Sequence, residues 1–160
     1  MRSVIVLQGC SGSGKSTYAQ KLITAAKELG VQAAHVVSAD DYFMELGEYK
    51  FDQTKTGEAH AWCMRNFVEH VIAQPEFGLV VVDNTNPGVI DIAPYMAVAT
   101  AYGWKAEIHR IVCDTEVAIA RNVHGVPAPQ VQKTANRIAG YTMPSFWPLT
   151  EVNSCDICPD

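Results

Sequence analysis

The sequence predicts an α/β fold: a parallel sheet of about four to five strands with helices on both faces. Three observations lead there. Short apolar runs, among them Ser3 to Gln8 and Leu79 to Val82, lead into glycine or aspartate and read as buried strands. Longer segments with apolar residues at helical spacing lie between them. Strands and helices alternate along the 160 residues, the order that builds a parallel sheet through crossover helices.

Ser3 to Gln8 is the first strand. Lys15 to Leu29 follows as a helix, with Tyr18, Leu22, Ala25, Ala26 and Leu29 on one stripe and Gly30 as its stop. Val31 to Ser38 is a second strand ending in Asp40 and Asp41. Residues 42 to 56 mix glycine, tyrosine and charge and read as an irregular excursion. Glu58 to Ala73 is a helix with an i, i+4 stripe of Ala59, Cys63, Phe67 and Val71. Leu79 to Val82 is the third strand, with Asp83 at its carboxyl end. Asp91 to Ala101 is helical, with Pro94 placed in its first turn, where proline is tolerated. Lys105 to Val112 is the fourth strand, and Asp114 to Arg121 a helix that Asp114 caps. Gln130 to Ala139 is the last regular helix. No repeat or linker interrupts the chain, so residues 1–160 read as one domain, with a lid around 121–129 and an irregular tail over 141–160.

Composition removes several function classes. No apolar run approaches the ~20 residues that cross a bilayer, and Val4 to Leu7 is too short for a signal-peptide core. The expected location is the cytoplasm, or a nucleus where the source has one. A formal charge of -5 argues against a broad grip on a nucleic acid backbone, but leaves room for a small pocket. Five cysteines at wide spacing do not form a disulfide framework. Cys155 and Cys158 make a lone CxxC with no second ligand pair beside it, which reads as tail rather than metal site.

The chemistry begins at "GCSGSGKST". Gly9-x4-Gly14-Lys15-Ser16 satisfies the Walker A pattern, with a strand before it and a helix after it. Gly9, Gly12 and Gly14 allow backbone angles that side chains forbid. The amides of Cys10, Ser11 and Ser13 can then turn inward with theirs around phosphate oxygens, at a helix N-terminus. Lys15 supplies charge to the β- and γ-phosphates, the Ser16 hydroxyl is a Mg²⁺ ligand, and Thr17 is placed for the α-phosphate. ATP and Mg²⁺ are therefore the expected cofactors. A guanine reader and an ABC signature are absent, and a mechanical AAA+ motor needs more chain; a small strand-helix domain with a P-loop and extra carboxylates suggests phosphoryl transfer to a small acceptor.

Transfer needs three further groups. Asp40, first after the second strand, is the candidate base for an acceptor hydroxyl, with Asp41 as the alternative. Asp83 is the candidate Mg²⁺ carboxylate. Arg121, where a helix meets the loop "RNVHGVP", is the candidate lid cation, with His124 beside it. Ligands of open α/β sheets sit beyond the carboxyl ends of the strands, so these residues should share one crevice.

"GCSGSGKST", "SADDYF", "YKFD", "EAHAWC", "VVVDNTNP", "APYM" and "RNVHGVP" occur in this order. Over residues 3 to 140 the chain resembles the P-loop 5'-hydroxyl polynucleotide kinase group, especially the kinase-like module of certain large animal proteins and its stand-alone bacterial and phage relatives. The resemblance implies ATP and Mg²⁺ at Lys15 and Ser16, Asp40 as general base, Asp83 at the third strand end and Arg121 on the transferred phosphate. It also implies a nucleic acid strand end as substrate. One departure stands out: Phe43 and Met44 follow Tyr42 where phage-type enzymes carry an arginine that clamps the acceptor phosphate. Other acceptors stay open, namely a hydroxymethyl-pyrimidine base in phage DNA, a nucleoside or a nucleotide. A nucleotide-binding ATPase module serving a partner protein is the reading from another class.

Overall fold

The computed structural model describes residues 2–45, 48–73 and 76–158. Met1, Leu46 and Gly47 of the expected excursion, and Pro159 and Asp160 of the expected tail, lie outside the described residues. The elements are β1 (Arg2–Gln8), α1 (Lys15–Glu28), β2 (Ala34–Val37), β3 (Met44–Glu45), β4 (Glu48–Tyr49), α2 (Thr56–Ala73), β5 (Gly78–Val82), α3 (Val89–Ala101), β6 (Lys105–Val112), α4 (Thr115–Arg121), α5 (Ala128–Gly140), β7 (Leu149–Asn153) and α6 (Ser154–Ile157). The main sheet has five parallel strands in the order β2-β5-β1-β6-β7. It is the α/β architecture predicted.

Strand alternation divides the core. Val4 and Val6 of β1, with Val80 and Val82 of β5, face Phe67 and Val71 of α2 and Ile92, Tyr95 and Met96 of α3. Ile5 and Leu7, with Leu79 and Val81, face Ala19 and Ile23 of α1 on the other side. A small third cluster joins Cys10 to Ala118 of α4 and Val131 of α5. Strands covered on both faces carry apolar side chains at every position, which is why β5 is buried from Gly78 to Val82.

Several boundaries differ from expectation. The second strand starts at Ala34, not Val31, because Val31 is spent on ending α1. Gly30 takes φ 86°, its N–H donates to the Lys27 carbonyl, and the Val31 N–H donates to the Ala26 carbonyl, a Schellman closure. α3 begins at Val89, so Pro94 lies inside the helix rather than in its first turn. Asp91 occupies the third helical position, where its carboxylate accepts the Gly88 N–H at 2.9 Å. Asp114 caps α4 as expected, accepting from the Glu116 and Val117 amides. The excursion over 42–56 holds the short antiparallel pair β3–β4.

The tail is the main correction. The described part of the tail, residues 141–158, is not irregular throughout: β7 extends the sheet beside β6, and α6 follows it. Four of the five β7 residues are exposed, so this edge strand lacks the apolar pattern that reveals its neighbours.

Candidate active site

The parallel register brings three strand ends together. Val37, Val82 and Val6 are aligned across β2, β5 and β1. The chain beyond each of them supplies Asp40, Asp83 and the glycine-rich loop. From the far side, the segment after β6 leads through α4 to Arg121. A cavity of about 310 Å³ results, lined by Ser11, Gly12, Gly14, Lys15, Ser16, Thr17, Asp40, Asp83, Asn84, Thr85, Arg121, Val123, His124 and Cys158. Of the residues singled out in the sequence, Gly9, Cys10 and Ser13 are buried behind the wall, and Asp41 does not line it. The Gly9 N–H is already used, donating to the Thr85 carbonyl at 3.1 Å.

The loop has the shape of an anion cradle. Gly12 and Gly14 take φ 80° and 98°, in the left-handed region that favours glycine. No described side chain caps α1, so the first amides of that helix point unsatisfied toward the cavity. Gly12 meets a second demand: a Cβ there would stand 1.9 Å from the Ala118 carbonyl oxygen of α4. Gly12→Ala is expected to cost about 3 kcal/mol through this clash and the φ strain. A urea titration checks it, and an unchanged midpoint would refute the close packing of loop on helix.

Lys15 is buried at 8 % exposure, and its Nζ donates to the Cys10 carbonyl at 2.8 Å. Burial pushes its pKa below the ordinary lysine value, opposed by the negative charge of Asp83 and by Cys10 and Asp40. Asp83 is itself buried. The oxygen set of Ser16 and Asp83 suits Mg²⁺, which characteristically takes one or two protein oxygens and completes its shell with phosphate and water. No group of three or more His, Cys, Asp or Glu side chains placed to hold a metal ion occurs among the described residues.

Asp40 opens a turn of 3₁₀ helix over Asp40–Phe43 and is exposed toward the cavity. The excursion supplies a partner that the sequence did not reveal: the Tyr49 hydroxyl donates to Asp40 Oδ1 at 3.1 Å. Burial and the Asp40 charge push the Tyr49 pKa up to about 12, so this phenol stays a donor at neutral pH. His124 Nε2 lies 3.9 Å from Asp40 Oδ2, and its ring packs on Tyr49 with centroids 4.6 Å apart. Asp41 has its pKa raised by burial and by the nearby Asp83 and Asp40 carboxylates. Arg121 Nη2 donates to the Cys158 carbonyl at 3.4 Å, which ties the tail to the cavity rim.

Asn84 follows Asp83 beyond β5 and lines the cavity. Its Oδ1 accepts the Ala39 N–H at 2.8 Å, and its amide reaches the Tyr95 hydroxyl at 3.3 Å and Cys63 Sγ at 3.5 Å. It thereby fastens the strand end before Asp40 to the end of β5. Asn84→Ala strips a buried amide of its acceptor and is expected to destabilise the fold by about 1–3 kcal/mol, measured by thermal unfolding. An unaltered melting curve would contradict that role.

A second cavity, about 520 Å³, opens beside the first and shares Ser11, Asp40, Asn84, Thr85 and His124 with it. Tyr49 and Phe51 form one wall, with ring planes 13° from parallel and centroids 6.5 Å apart. Phe51 is 57 % exposed. No lysine or arginine is found among the described residues that line it.

Comparison with known proteins agrees with the fold. Human NEDD4-binding protein 2 is 31 % identical over 137 residues, 81 % of this chain and 7 % of its own length. The chain thus spans a small fraction of that relative. The Mycobacterium tuberculosis APS kinase CysC, solved with AMPPNP and APS, superposes with a TM-score of 0.64 at 19 % identity, covering 95 % of this chain and 88 % of the kinase. A structure of the Pnkp1/Rnl/Hen1 RNA repair complex gives 0.67 at 15 % identity, over 86 % of this chain and 44 % of the matched one. At such identities the likeness establishes the fold, a P-loop kinase-like one. The family model that matches is described as an AAA domain. Its match runs over residues 4–141 and takes in the glycine-rich loop, Asp40, Asp83 and Arg121, so the chain belongs to the AAA domain family.

Proposed function

We propose that the protein is an ATP-dependent kinase that transfers the γ-phosphoryl group to a nucleic acid hydroxyl, the 5'-OH end of a DNA or RNA strand. The observation that carries the reading is the meeting of two cavities at Asp40. One has the loop and helix end of a triphosphate cradle; the other has an aromatic wall on which a base can stack. Similarity to a structure of an RNA repair complex adds to it.

In this reading Lys15, the loop amides and the N-terminus of α1 hold ATP, and Arg121 faces the moving phosphoryl. Ser16 and Asp83 would hold Mg²⁺, which would supply neutralisation of charge on the phosphate oxygens. The acceptor oxygen forms a bond to the γ-phosphorus as the bond to the β,γ-bridging oxygen breaks. That electron pair leaves on ADP, and the acceptor proton passes to the Asp40 carboxylate. Tyr49 keeps Asp40 oriented by its hydrogen bond.

The test is transfer of labelled γ-phosphate to 5'-OH oligonucleotides of DNA and RNA. Label on strand ends supports the reading, and label released only to water defeats it. A second reading draws on the lack of lysine or arginine along the described wall of the second cavity. It keeps the kinase and makes the acceptor an uncharged one, a nucleoside or a hydroxymethyl base. The same assay with those acceptors separates the two.

A further inference from the structure

The sequence lacks the arginine that would hold an acceptor phosphate just after Asp40-Asp41-Tyr42. The structure holds cations elsewhere on the path. Beyond the aromatic wall the second cavity runs into a third, of about 560 Å³, and the two share Thr56, His60, Thr85 and Gln130. On one side of this groove lies α5, with Gln130, Lys133, Thr134 and Arg137 lining it. Their i, i+3, i+4, i+7 spacing puts them on one helical stripe, about 10 Å long. Val131 and Ile138, about a quarter turn round the helix, are buried in the protein. Opposite stands α2, which contributes Thr56, His60 and Met64. Lys133 is exposed and makes no ion pair with a described residue. Arg137 lies 3.6 Å from Asp91 and over the Tyr141 ring, so it is held in place while 45 % of its side chain stays open to solvent.

We propose that this groove between α2 and α5 is the track of the acceptor strand beyond its reacting nucleotide, with Lys133 and Arg137 taking its phosphodiester groups. The inference rests on the proposed kinase reading. It specifies an acceptor of more than one nucleotide: the terminal base lies along Tyr49 and Phe51, and the backbone continues to α5. A local pair of cations also fits a chain whose formal charge is -5, since only the strand end is gripped. Asp91 and Glu58 are acidic neighbours on α3 and α2; Asp91 lines the groove and Glu58 does not.

Two measurements on the intact chain test this. The first compares a nucleoside, a dinucleotide and a pentanucleotide, all with 5'-OH ends, as acceptors. Lys133→Gln and Arg137→Gln are expected to raise KM for the pentanucleotide about tenfold each, with kcat and the nucleoside KM unchanged. Lys133→Arg should restore the wild-type value. The salt dependence of strand binding should flatten by about 0.7 in log–log slope for each cation removed. The second is fluorescence anisotropy of a labelled 5'-phosphorylated pentanucleotide, which requires no transfer. Weaker binding in Lys133→Gln supports the track even where phosphoryl transfer is not seen, an outcome that would sink the kinase reading alone. Transfer to strands with KM and salt slope untouched in both variants overturns the track and leaves the kinase reading standing. A strand that neither binds nor accepts phosphate defeats both.

Discussion

Asp40→Asn is expected to slow phosphoryl transfer by about a hundred- to ten-thousandfold, the usual contribution of a positioned general base. The asparagine keeps an oxygen for the Tyr49 hydroxyl, which now donates to Asp40 at 3.1 Å. It also keeps the Ser38 contact to the backbone N–H of residue 40, because that bond uses no side-chain atom of residue 40. Fold and cavity shape should therefore persist. ATP affinity should change by less than about threefold, or tighten slightly as a negative charge beside the phosphates is removed. Equilibrium binding of a fluorescent ATP analogue together with single-turnover transfer separates these quantities. Transfer that survives within tenfold of wild type would move the base role away from Asp40. Asp41 lines neither cavity that meets at Asp40, so it is not a ready substitute.

Lys15→Met should separate function from stability in a different manner. Transfer is expected to fall by about a hundred- to a thousandfold, the scale of a lost preorganised charge at a reacting centre, and ATP binding should weaken with it. The ligand-free protein should hold its stability, or gain up to about 1 kcal/mol, because methionine fills similar space without a buried charge. The Cys10 carbonyl that loses the lysine still accepts the Ser13 N–H at 3.2 Å. The pH dependence gives a signed check. Burial lowers the Lys15 pKa below 10.5 in the folded state. Between that lowered value and 10.5 the unfolded chain holds more protons than the folded one. Stability contributed by this residue therefore rises with pH through that window, and its charge is costliest below it. Urea titrations across the window should show the Lys15→Met gain shrinking as pH rises. A variant several kcal/mol less stable than wild type would make Lys15 a structural residue first.

Both substitutions act at positions legible in the sequence, and the reason is local. Lys15 belongs to a contiguous loop whose glycine spacing is tied to one backbone shape, with Gly12 and Gly14 at positive φ. Asp40 and Asp83 follow runs of apolar residues, and a parallel sheet carries all such strand ends to the same rim. Tyr49 was hidden for the opposite reason. It lies in a two-residue strand within a stretch without periodicity, and its bond to Asp40 depends on how that stretch folds back. Asn84 stood in plain view beside Asp83, but its three partners come from residues 39, 63 and 95.

The amino-acid sequence by itself determined the alternation of strands and helices, the phosphate-type loop between β1 and α1, and the candidate carboxylates and arginine at element ends. Those follow from periodicity and from turn chemistry, which act over a few residues. Only the tertiary structure decided the sheet order β2-β5-β1-β6-β7 and the place of β7, an exposed edge strand recognisable solely by its pairing with β6. It alone also closed Gly12 against α4 and opened the groove between α2 and α5. The physical reason is common to these features. Each depends on surfaces that meet from distant parts of the chain, where packing and backbone pairing, rather than local propensity, choose the neighbour.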